Sequence, residues 1–435
     1  MNNDPKKISL LTFLPIIISL SLAGLAELAS LYSVQAMLPK LSEVYGIPLN
    51  QVGLLLSVEI GCLALALLFS GSLSDRFGRK RVIVCSLLAG SLLTLSCSLA
   101  STWPVLLMLC GLLGLTVSGI TAAVTVYISE EILPAMAGII TGYFIFGNSL
   151  GSMSGRVIAS QLMDHIPVGA IFIIFGVILL MMALLVLFFL PSSKNFVPTP
   201  SLNLALLLHG GIAHFRNKTI SMMFIVGFMI FGSFTSVFNF IAFYLHNAPF
   251  HLSYAWIGLI PVSFSLTFFS GPAAGRATLK HGAMNVLTLL LSLMLAGIVI
   301  TLLTENIVVF IGGVILFAVS FFTSHSVALA WVSKNAQFNK GQATSFYLFF
   351  YYLGGAAIGY LNGFIFARFS WDGMIIAIVT MLSIALLTCR ILQRRLLTQG
   401  AVSIPHASTA DAPGKPETLR LPPHSNRQAN PPVIK

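Results

Sequence analysis

The chain has 435 residues, of which 57% are hydrophobic and only 8% are charged, and its formal net charge is +11. A water-soluble domain could not bury this share of apolar side chains, so the composition excludes an ordinary soluble enzyme and predicts a protein that crosses a membrane many times. The five cysteines lie in or beside apolar runs without metal-ligand spacing, so no disulfide framework and no metal site are expected. No other cofactor and no nucleic-acid partner are expected either.

The first predicted element follows Lys6 and Lys7 and could be mistaken for a secretory signal peptide. Its apolar run continues to about Leu38, well beyond a signal-peptide core, and no clear small-residue cleavage site follows its first stretch. We therefore expect a retained first transmembrane helix.

Apolar runs long enough to cross about 30 Å of hydrocarbon, roughly 20 residues each, recur along the chain. Twelve such spans are predicted, at residues 10–38, 52–72, 82–100, 104–128, 137–163, 168–190, 220–245, 255–274, 284–303, 307–332, 343–367 and 374–392. Because a lipid-exposed backbone must satisfy its own hydrogen bonds, each span is expected to be a helix. The predicted fold class is an all-α integral membrane protein with twelve transmembrane helices.

The distribution of Lys and Arg between the connecting segments predicts the orientation in the membrane. With the N-terminus inside, the cytoplasmic side before the tail carries thirteen basic residues: Lys6, Lys7, Arg76, Arg79, Lys80, Arg81, Lys194, Arg216, Lys218, Arg276, Lys280, Lys334 and Lys340. The outer side carries only Lys40 and Arg368. Both termini are therefore predicted to face the cytoplasm, with the protein in the cell (inner) membrane.

The longest interruption between spans divides the chain into two halves. Residues 191–219, predicted to form a central cytoplasmic loop, separate six spans in residues 1–190 from six in residues 220–397. Residues 398–435 contain many prolines and polar residues and are expected to form a disordered cytoplasmic tail.

The two halves also resemble each other in sequence. The stretch GSLSDRFGRKR at residues 71–81 has a counterpart, GPAAGRATLKHG, at residues 271–282, in which Gly275 stands where the first half has Asp75. The stretch YFIFGNSLGSMSG at residues 143–155 resembles YLFFYYLGGAAIG at residues 347–359. Internal duplication of this kind is typical of secondary transporters.

The charged loop between spans two and three, with the pattern G-x-L-x-D-R-x-G-R-K-R, closely resembles the signature loop of the major facilitator superfamily. The matching residues are Gly71, Leu73, Asp75, Arg76, Gly78, Arg79, Lys80 and Arg81. The resemblance covers about residues 8–397 and is closest to the twelve-helix drug:proton antiporter branch, including predicted sugar-efflux permeases. It implies two pseudo-symmetric six-helix bundles and a monomeric transporter that alternates access and exports a small organic molecule, a drug-like compound or a sugar, in exchange for protons.

Two other functions stay open at this point. An importer or facilitator would use the same fold. A membrane sensor or enzyme that moves nothing is disfavoured, because the chain has no P-loop, no metal-spaced His/Cys set and no soluble domain. No enzymatic activity is therefore expected.

The charged loop is predicted to act as a conformational latch formed by Gly71, Asp75, Arg76, Gly78, Arg79, Lys80, Glu130 and Glu131. Its glycines allow a tight turn. Asp75 can face the positive N-terminal end of another helix, which the resemblance implies is span eleven, and the basic residues can pair with the two glutamates of the next cytoplasmic loop. The contact between the halves, from Asp75 to span eleven, is expected only when the cytoplasmic side is closed. A plain positive-inside anchor is the alternative, and Gly275 implies a one-sided latch.

Three charged residues lie well inside the predicted spans, where each is costly and therefore a candidate functional group: Glu27, Glu59 and Arg156. At about 1.5 Å per residue, Glu59 and Arg156 share a similar depth and Glu27 lies nearer mid-membrane. In one interpretation Glu27 is the main proton carrier, with Glu59 and Arg156 as its coupled network. In the other, Glu59 and Arg156 form a fixed ion pair, or Glu27 stays protonated and hydrogen-bonded.

Glycines recur in span five, at Gly142, Gly147, Gly151 and Gly155, and in span eleven, at Gly355, Gly359 and Gly363. Small residues four apart allow close helix packing. The span-five stretch partly resembles the antiporter signature of that span, although Arg156 stands where the signature has proline. The arginine usual in span four of these antiporters is absent, because Cys110-x-x-x-Gly114 occupies its register.

Polar and aromatic residues on the spans expected to line a central cavity are candidate substrate contacts. They are Tyr32, Gln35, Phe234, Phe238, Asn239, Phe322, His325, Tyr347 and Tyr351. Aromatic-rich pockets with sparse polar groups suit amphipathic organic molecules, although each residue alone can equally serve packing.

Overall fold

Long apolar segments of the chain form helices in the computed structural model. The structure describes residues 13–193, 196, 217–303, 306–336 and 340–402, and within these ranges it contains helices but no strands. A helix satisfies its own backbone N–H and C=O groups inside a bilayer, which accounts for this single type of secondary structure. The all-α fold class predicted from the sequence is confirmed.

The first half of the chain contributes seven helices within the described residues: α1 (Leu14–Tyr45), α2 (Leu49–Val52), α3 (Leu54–Phe77), α4 (Arg79–Cys97), α5 (Trp103–Glu131), α6 (Pro134–Met163) and α7 (Val168–Phe189). The second half contributes α8 (Lys218–His246), α9 (Tyr254–Ile257), a 3-10 helix (Ile260–Leu266), α10 (Thr267–His281), α11 (Ala283–Ile300), α12 (Ile307–Asn335) and α13 (Lys340–Val402).

The described helices are consistent with twelve membrane crossings. Ten helical segments are long and apolar enough to cross a membrane, and α6 adds another helix of 30 residues. The backbone of α13 is interrupted at Ser370, where φ is 55°, so residues 340–369 and 371–402 form two consecutive segments.

Two predicted spans differ from the observed helices for local reasons. Helix α1 continues to Tyr45 and ends at Gly46, whose φ of 62° provides a left-handed cap, so the helix extends beyond the apolar run that predicted it. The eighth span is not one helix: α9 and the 3-10 helix precede α10, and Pro261, which lacks a backbone N–H, lies in the first turn of the 3-10 segment.

The tight turns of the two halves have matching backbone geometry. Gly78 joins α3 to α4 with a φ of 95°, and Gly282 joins α10 to α11 with a φ of 82°. This region of backbone space favours glycine because a Cβ would be strained there. The positions are equivalent in the two predicted halves and agree with the sequence repeat.

Glycines on α6 bring its backbone against α1. A Cβ built at three of them would meet α1 backbone atoms: Gly147 at Ser21, Gly151 at Leu25 and Gly155 at Ala29, the last 2.7 Å from the carbonyl oxygen. Gly142, one turn earlier, has no atom within 4 Å of a built Cβ among the described residues. The close contact between these helices therefore begins at Gly147.

A second glycine series brings α13 against α8 and α2. A Cβ at Gly355 would overlap the Phe231 ring, one at Gly359 would lie 2.9 Å from Thr235, and one at Gly363 would lie 3.2 Å from Phe240. The tightest approach in this series is at Gly354, which was not among the predicted packing glycines: a Cβ built there would overlap the Phe228 carbonyl oxygen.

Contacts do not divide the chain at the centre. Met1–Arg394 form one compact unit and Arg395–Lys435 another, so the division into bundles at residues 1–190 and 220–397 stays a prediction. Most of the central loop (191–219) and of the tail (398–435) lies outside the described residues, as do Lys6, Lys7, Lys194 and Arg216.

Candidate functional site

Arg156 of α6 is a buried cation whose hydrogen bonds go to uncharged partners. The residue is 3% exposed. Its Nε donates to Gln35 Oε1 at 2.9 Å, and its Nη1 donates to the Ser152 carbonyl oxygen at 2.9 Å and to Ser152 Oγ at 2.6 Å. No carboxylate of the described chain lies within ion-pair distance of it, and its Nη2 has no hydrogen-bond partner.

Aromatic rings surround the Arg156 guanidinium. Its central carbon lies 3.7 Å from the centroid of the Tyr32 ring, 5.4 Å from Phe264, 5.5 Å from Phe238 and 5.8 Å from Phe234. A cation over an aromatic face in a site without water gains about 2 kcal/mol. The rings thus stabilise the charge in part, but they do not neutralise it.

Gln35 joins this cation to the second half of the chain. Its Nε2 donates to Asn239 Oδ1 at 2.8 Å, so a continuous line of hydrogen bonds connects Arg156 on α6, Gln35 on α1 and Asn239 on α8. Asn239 is 1% exposed and its Nδ2 has no partner. Two donors, Arg156 Nη2 and Asn239 Nδ2, are therefore buried and unsatisfied in one network.

The remaining candidate substrate contacts continue the aromatic cluster. The Phe322 ring lies 5.3 Å from Phe234, and the His325 ring lies 4.1 Å from Tyr351. The Tyr347 hydroxyl lies 3.4 Å from His325 Nδ1. Phe231 connects the two parts, since its ring lies 4.1 Å from Tyr351 and 6.2 Å from Phe234. The structure brings all nine predicted residues into one connected region.

Sequence reasoning missed four members of this region: Ser152, Phe231, Phe264 and Phe321. Ser152 could have been found, because it precedes Arg156 by four residues and a helix places the two on one face. The three phenylalanines gave no signal, since aromatic residues are frequent throughout the chain and only the packing of α8, α12 and the 3-10 segment selects these rings.

Glu27 lies inside the first half. It is 2% exposed, accepts a short hydrogen bond from the Thr121 hydroxyl of α5, and its Oε2 has no partner. It lines a cavity of about 10 Å³ between α1, α4, α5 and α7, which is room for about one water molecule. The hydroxyl groups of Tyr32 and Tyr352 are near enough to interact electrostatically with the Glu27 carboxyl group.

Glu59 of α3 is fully buried and both of its carboxylate oxygens lack a partner. A Cβ built at Gly114 of α5 would overlap the backbone carbonyl of Glu59. The thiols of Cys97 and Cys110 are near enough to interact electrostatically with the Glu59 carboxyl group. The fixed Glu59–Arg156 ion pair considered from the sequence is not formed in the described structure, because α3 presents Glu59 toward α4 and α5.

Arg79 is the centre of the predicted latch. Its Nη1 donates to Asp75 Oδ1 at 2.5 Å and to Ser74 Oγ at 3.0 Å. Its Nε and Nη2 donate to the two carboxylate oxygens of Glu130 at 2.9 and 2.7 Å. The geometry with Glu130 is the two-point contact that a guanidinium makes best, and it fixes the α3–α4 turn to the end of α5.

The other latch residues lie around this centre. Arg76 is exposed over the Phe77 ring, Lys80 is half-buried, and Glu131 follows Glu130 at the end of α5. Gly71 has no atom within 4 Å of a built Cβ among the described residues. Asp75 and Glu130 hold Arg79 within the first half, and the Arg79 guanidinium carbon also lies 5.4 Å from the ring centroid of Phe196 in the central segment.

The two halves meet at the end of the helices opposite this loop. Gln161 Nε2 donates to the Ala255 carbonyl oxygen at 2.7 Å, and the Ala255 amide donates to Asp164 Oδ2 at 3.0 Å. A Cβ at Gly258 would overlap Ser160, and one at Gly53 would lie 3.3 Å from the Gly359 carbonyl oxygen.

Four glycines nearer the charged loop face open space within the described ranges. A Cβ built on any of four glycines from both halves has no neighbour within 4 Å in the described ranges: Gly71, Gly142, Gly275 and Gly341. Tyr143 and Phe146 of α6 are exposed beside Gly142. Hydrogen bonds join the halves opposite the charged loop, at Gln161 and Ala255, and midway along the helices, at Gln35 and Asn239.

Known proteins resemble this chain along most of its length. A profile described as Major Facilitator Superfamily matches residues 20–359. The inner membrane transport protein YnfM of Escherichia coli (strain K12) is 38% identical over 384 residues, which are 88% of this chain and 92% of that protein. An uncharacterized transporter of Buchnera aphidicola subsp. Schizaphis graminum is 37% identical over 89% of this chain and 93% of its own.

Among solved structures, a bacterial homolog of the human lysosomal transporter Spinster, in an inward-facing and occupied conformation, superposes with a TM-score of 0.72 at 12% identity. The match covers 88% of this chain and 97% of that one. At this identity the likeness shows a shared fold.

Proposed function

Because this chain belongs to the major facilitator superfamily, we propose that it exports a small organic molecule in exchange for protons by alternating access. It is a multi-pass membrane transporter of that superfamily and not an enzyme. Transporters of this kind work on small molecules in a lipid bilayer. The drug:proton antiporter branch, the inner membrane and a monomeric state are part of the proposal.

The observation that carries the proposal is the set of contacts that join the two halves of the described chain at the end opposite the charged loop, through Gln161, Asp164 and Ala255. If the basic loop faces the cytoplasm, as the distribution of positive charge predicts, the closed end faces outward and the molecule is open to the cytoplasm. Export then requires the opposite arrangement, in which the contacts of Gln161 and Ala255 break and the cytoplasmic ends approach each other. In that second arrangement Asp75 engages the N-terminal end of α13, as the latch predicted from the sequence requires.

Proton coupling is assigned to Glu27 first, with Glu59 and Arg156 as the network that responds to it. A carboxyl buried among apolar side chains is costly when charged, and such groups in membrane spans commonly serve as proton relays. Glu27 has one unsatisfied oxygen, a hydroxyl partner on α5 and a cavity for one water molecule. These features suit a group that binds and releases a proton.

Inverted membrane vesicles that contain the chain test this proposal. Respiration acidifies their interior, and an exporter that exchanges substrate for protons dissipates the pH gradient when its substrate is added, which an acridine dye reports. We expect dissipation with some members of a panel of sugars and amphipathic compounds, and none in vesicles without the chain. Proton entry into right-side-out vesicles together with substrate would instead show an importer and would contradict the proposal.

A further inference from the structure

We propose that the substrate is an organic anion, a flat apolar body that carries one carboxylate, and that Arg156 and Asn239 bind this carboxylate. The inference rests on the proposed function as a transporter of small organic molecules and specifies the chemistry of that molecule. It also chooses between the classes left open by the sequence, because a sugar does not fit the site described below.

The uncompensated charge of Arg156 is the first argument. The guanidinium is 3% exposed, and the described structure places no carboxylate within ion-pair distance of it. An ion taken out of water without a counter-ion costs several kcal/mol. An anionic substrate supplies the missing charge, so its binding at Arg156 removes a cost that the empty transporter carries.

The unsatisfied donors are the second argument. Arg156 Nη2 and Asn239 Nδ2 are both buried without a partner, and Gln35 holds the two residues in one hydrogen-bonded line. Arg156 Nη2 can donate to one oxygen of a carboxylate and Asn239 Nδ2 to the other, since the remaining guanidinium nitrogens already donate to Gln35 and Ser152. Because Arg156 belongs to the first half and Asn239 to the second, a carboxylate bound by both joins the halves.

The walls of the site define the rest of the ligand. The rings of Tyr32, Phe234, Phe238 and Phe264 lie within 3.7 to 5.8 Å of the guanidinium carbon, and Phe322 packs against Phe234 and Phe264. Such walls accept a flat apolar ring by stacking. A sugar carries several hydroxyl groups around its ring, and the few polar groups of this aromatic cluster, on Arg156, Gln35 and Asn239, would leave most of them without partners.

The test compares carboxylates with neutral amides of the same shape. Purified full-length protein in detergent is heated with benzoate or 2-naphthoate, and separately with benzamide or 2-naphthamide, at millimolar concentrations. A ligand that binds only the folded state raises the Tm. We expect the carboxylates to raise the Tm and to bind about ten- to a hundredfold more tightly than the amides. Equal shifts, or no shift with either carboxylate, would overturn the inference.

Variants assign the effect to the proposed donors. Asn239→Asp keeps the shape of the side chain but puts a carboxylate beside Arg156, so the carboxylate-dependent shift should disappear while the protein stays folded. Arg156→Gln should abolish the shift as well, and Arg156→Lys should retain part of it. Asn285→Asp makes the same amide-to-acid change at an exposed position of α11 and serves as the matched control. A full shift in Asn239→Asp would contradict the assignment.

The outcome is independent of the test of proton exchange. If amides bind as well as carboxylates while vesicles still exchange substrate for protons, the anion site is wrong and the proposed function stands. If carboxylates bind as expected but no proton movement accompanies transport, the anion site stands and proton exchange is wrong.

Discussion

At the scale of single residues, the two buried carboxyl groups of the first half have different surroundings. Glu27 has a hydroxyl partner and lines a small cavity, whereas both oxygens of Glu59 lack partners among the described residues. A proton carrier must exchange protons with water or with a polar relay, and the Glu27 site provides these groups. Glu59 is consequently the more suitable candidate for a group that stays protonated.

Replacing Glu27 by Gln tests this difference. We expect Glu27→Gln to remove the pH dependence of transport, because the amide keeps the hydrogen bond of Thr121 but cannot carry a proton. The measurement is the rate of substrate efflux at several external pH values in reconstituted vesicles. Asp372→Asn, which changes an exposed carboxylate, is the control and should keep the pH profile of the unmodified chain. An unchanged profile in Glu27→Gln would transfer the role to another group.

Replacing Asp75 by Asn tests the latch. Asp75 contributes one oxygen to Arg79, and Glu130 holds Arg79 by two more, so the fold of the loop should survive. A carboxylate at a helix N-terminus is worth about 1 kcal/mol, or about fivefold in the population of the closed cytoplasmic side. We therefore expect Asp75→Asn to slow transport several-fold at an unchanged Tm. Full transport activity in this variant would leave the loop as a positive-inside anchor.

The sequence allowed us to predict which residues belong to the site, but not which of them contact each other. Charge in an apolar span selected Arg156, and polarity on cavity-facing spans selected Gln35 and Asn239. Depth along a helix axis suggested Glu59 as the partner of Arg156. Depth fixes the level of a residue but not the direction it faces, and the direction depends on how α3 and α6 rotate against their neighbours.

At the scale of helices, the contact between α1 and α6 depends on glycine. Built side chains at Gly147 and Gly151 overlap backbone carbonyl groups of α1, which cannot move without displacing the whole helix. Tyr32 and Gln35 belong to α1, and Arg156 belongs to α6. The glycine contact therefore sets the distance across which Arg156 reaches Gln35.

A larger side chain on this face should separate the two helices. Gly151→Val is expected to lower stability by about 1–3 kcal/mol or more, because overpacking forces a backbone shift. The loss is measured by heating purified protein and determining, by size-exclusion chromatography, the fraction that remains folded at each temperature. Gly142→Val, on the same helix but facing open space, is the matched control and should unfold close to the unmodified chain. Equal stability of the two variants would contradict the packing described for α6.

The existence and order of the helices could be predicted from the sequence, while their ends could not. A span of about 20 apolar residues is required by the thickness of the bilayer, so each run gives a visible signal. Helix α1 extends past its run to Gly46, and Pro261 divides the eighth span. Caps and prolines act over single turns, which a count of apolar residues does not register.

At the scale of the whole molecule, the proposed alternation concerns the contacts between the two halves. The halves touch near Ser160, Gln161 and Ala255, while Gly142 and Gly275 face open space within the described ranges. Internal repeats in the sequence predicted an alternating transporter, because symmetry-related halves can exchange open and closed ends. Nothing in the sequence indicated which end is closed, since that depends on the balance of contacts between the halves.

The central claim is that the two ends open and close reciprocally, and thiol accessibility tests it most directly. Ser160→Cys at the closed end and Gly142→Cys at the open end are introduced separately into a chain in which the five native cysteines are replaced by serine or alanine. A membrane-impermeant maleimide is then applied from each side, with and without substrate and a proton gradient. We predict that conditions which protect position 142 expose position 160, and the reverse. Equal labelling of both positions under every condition would contradict the account.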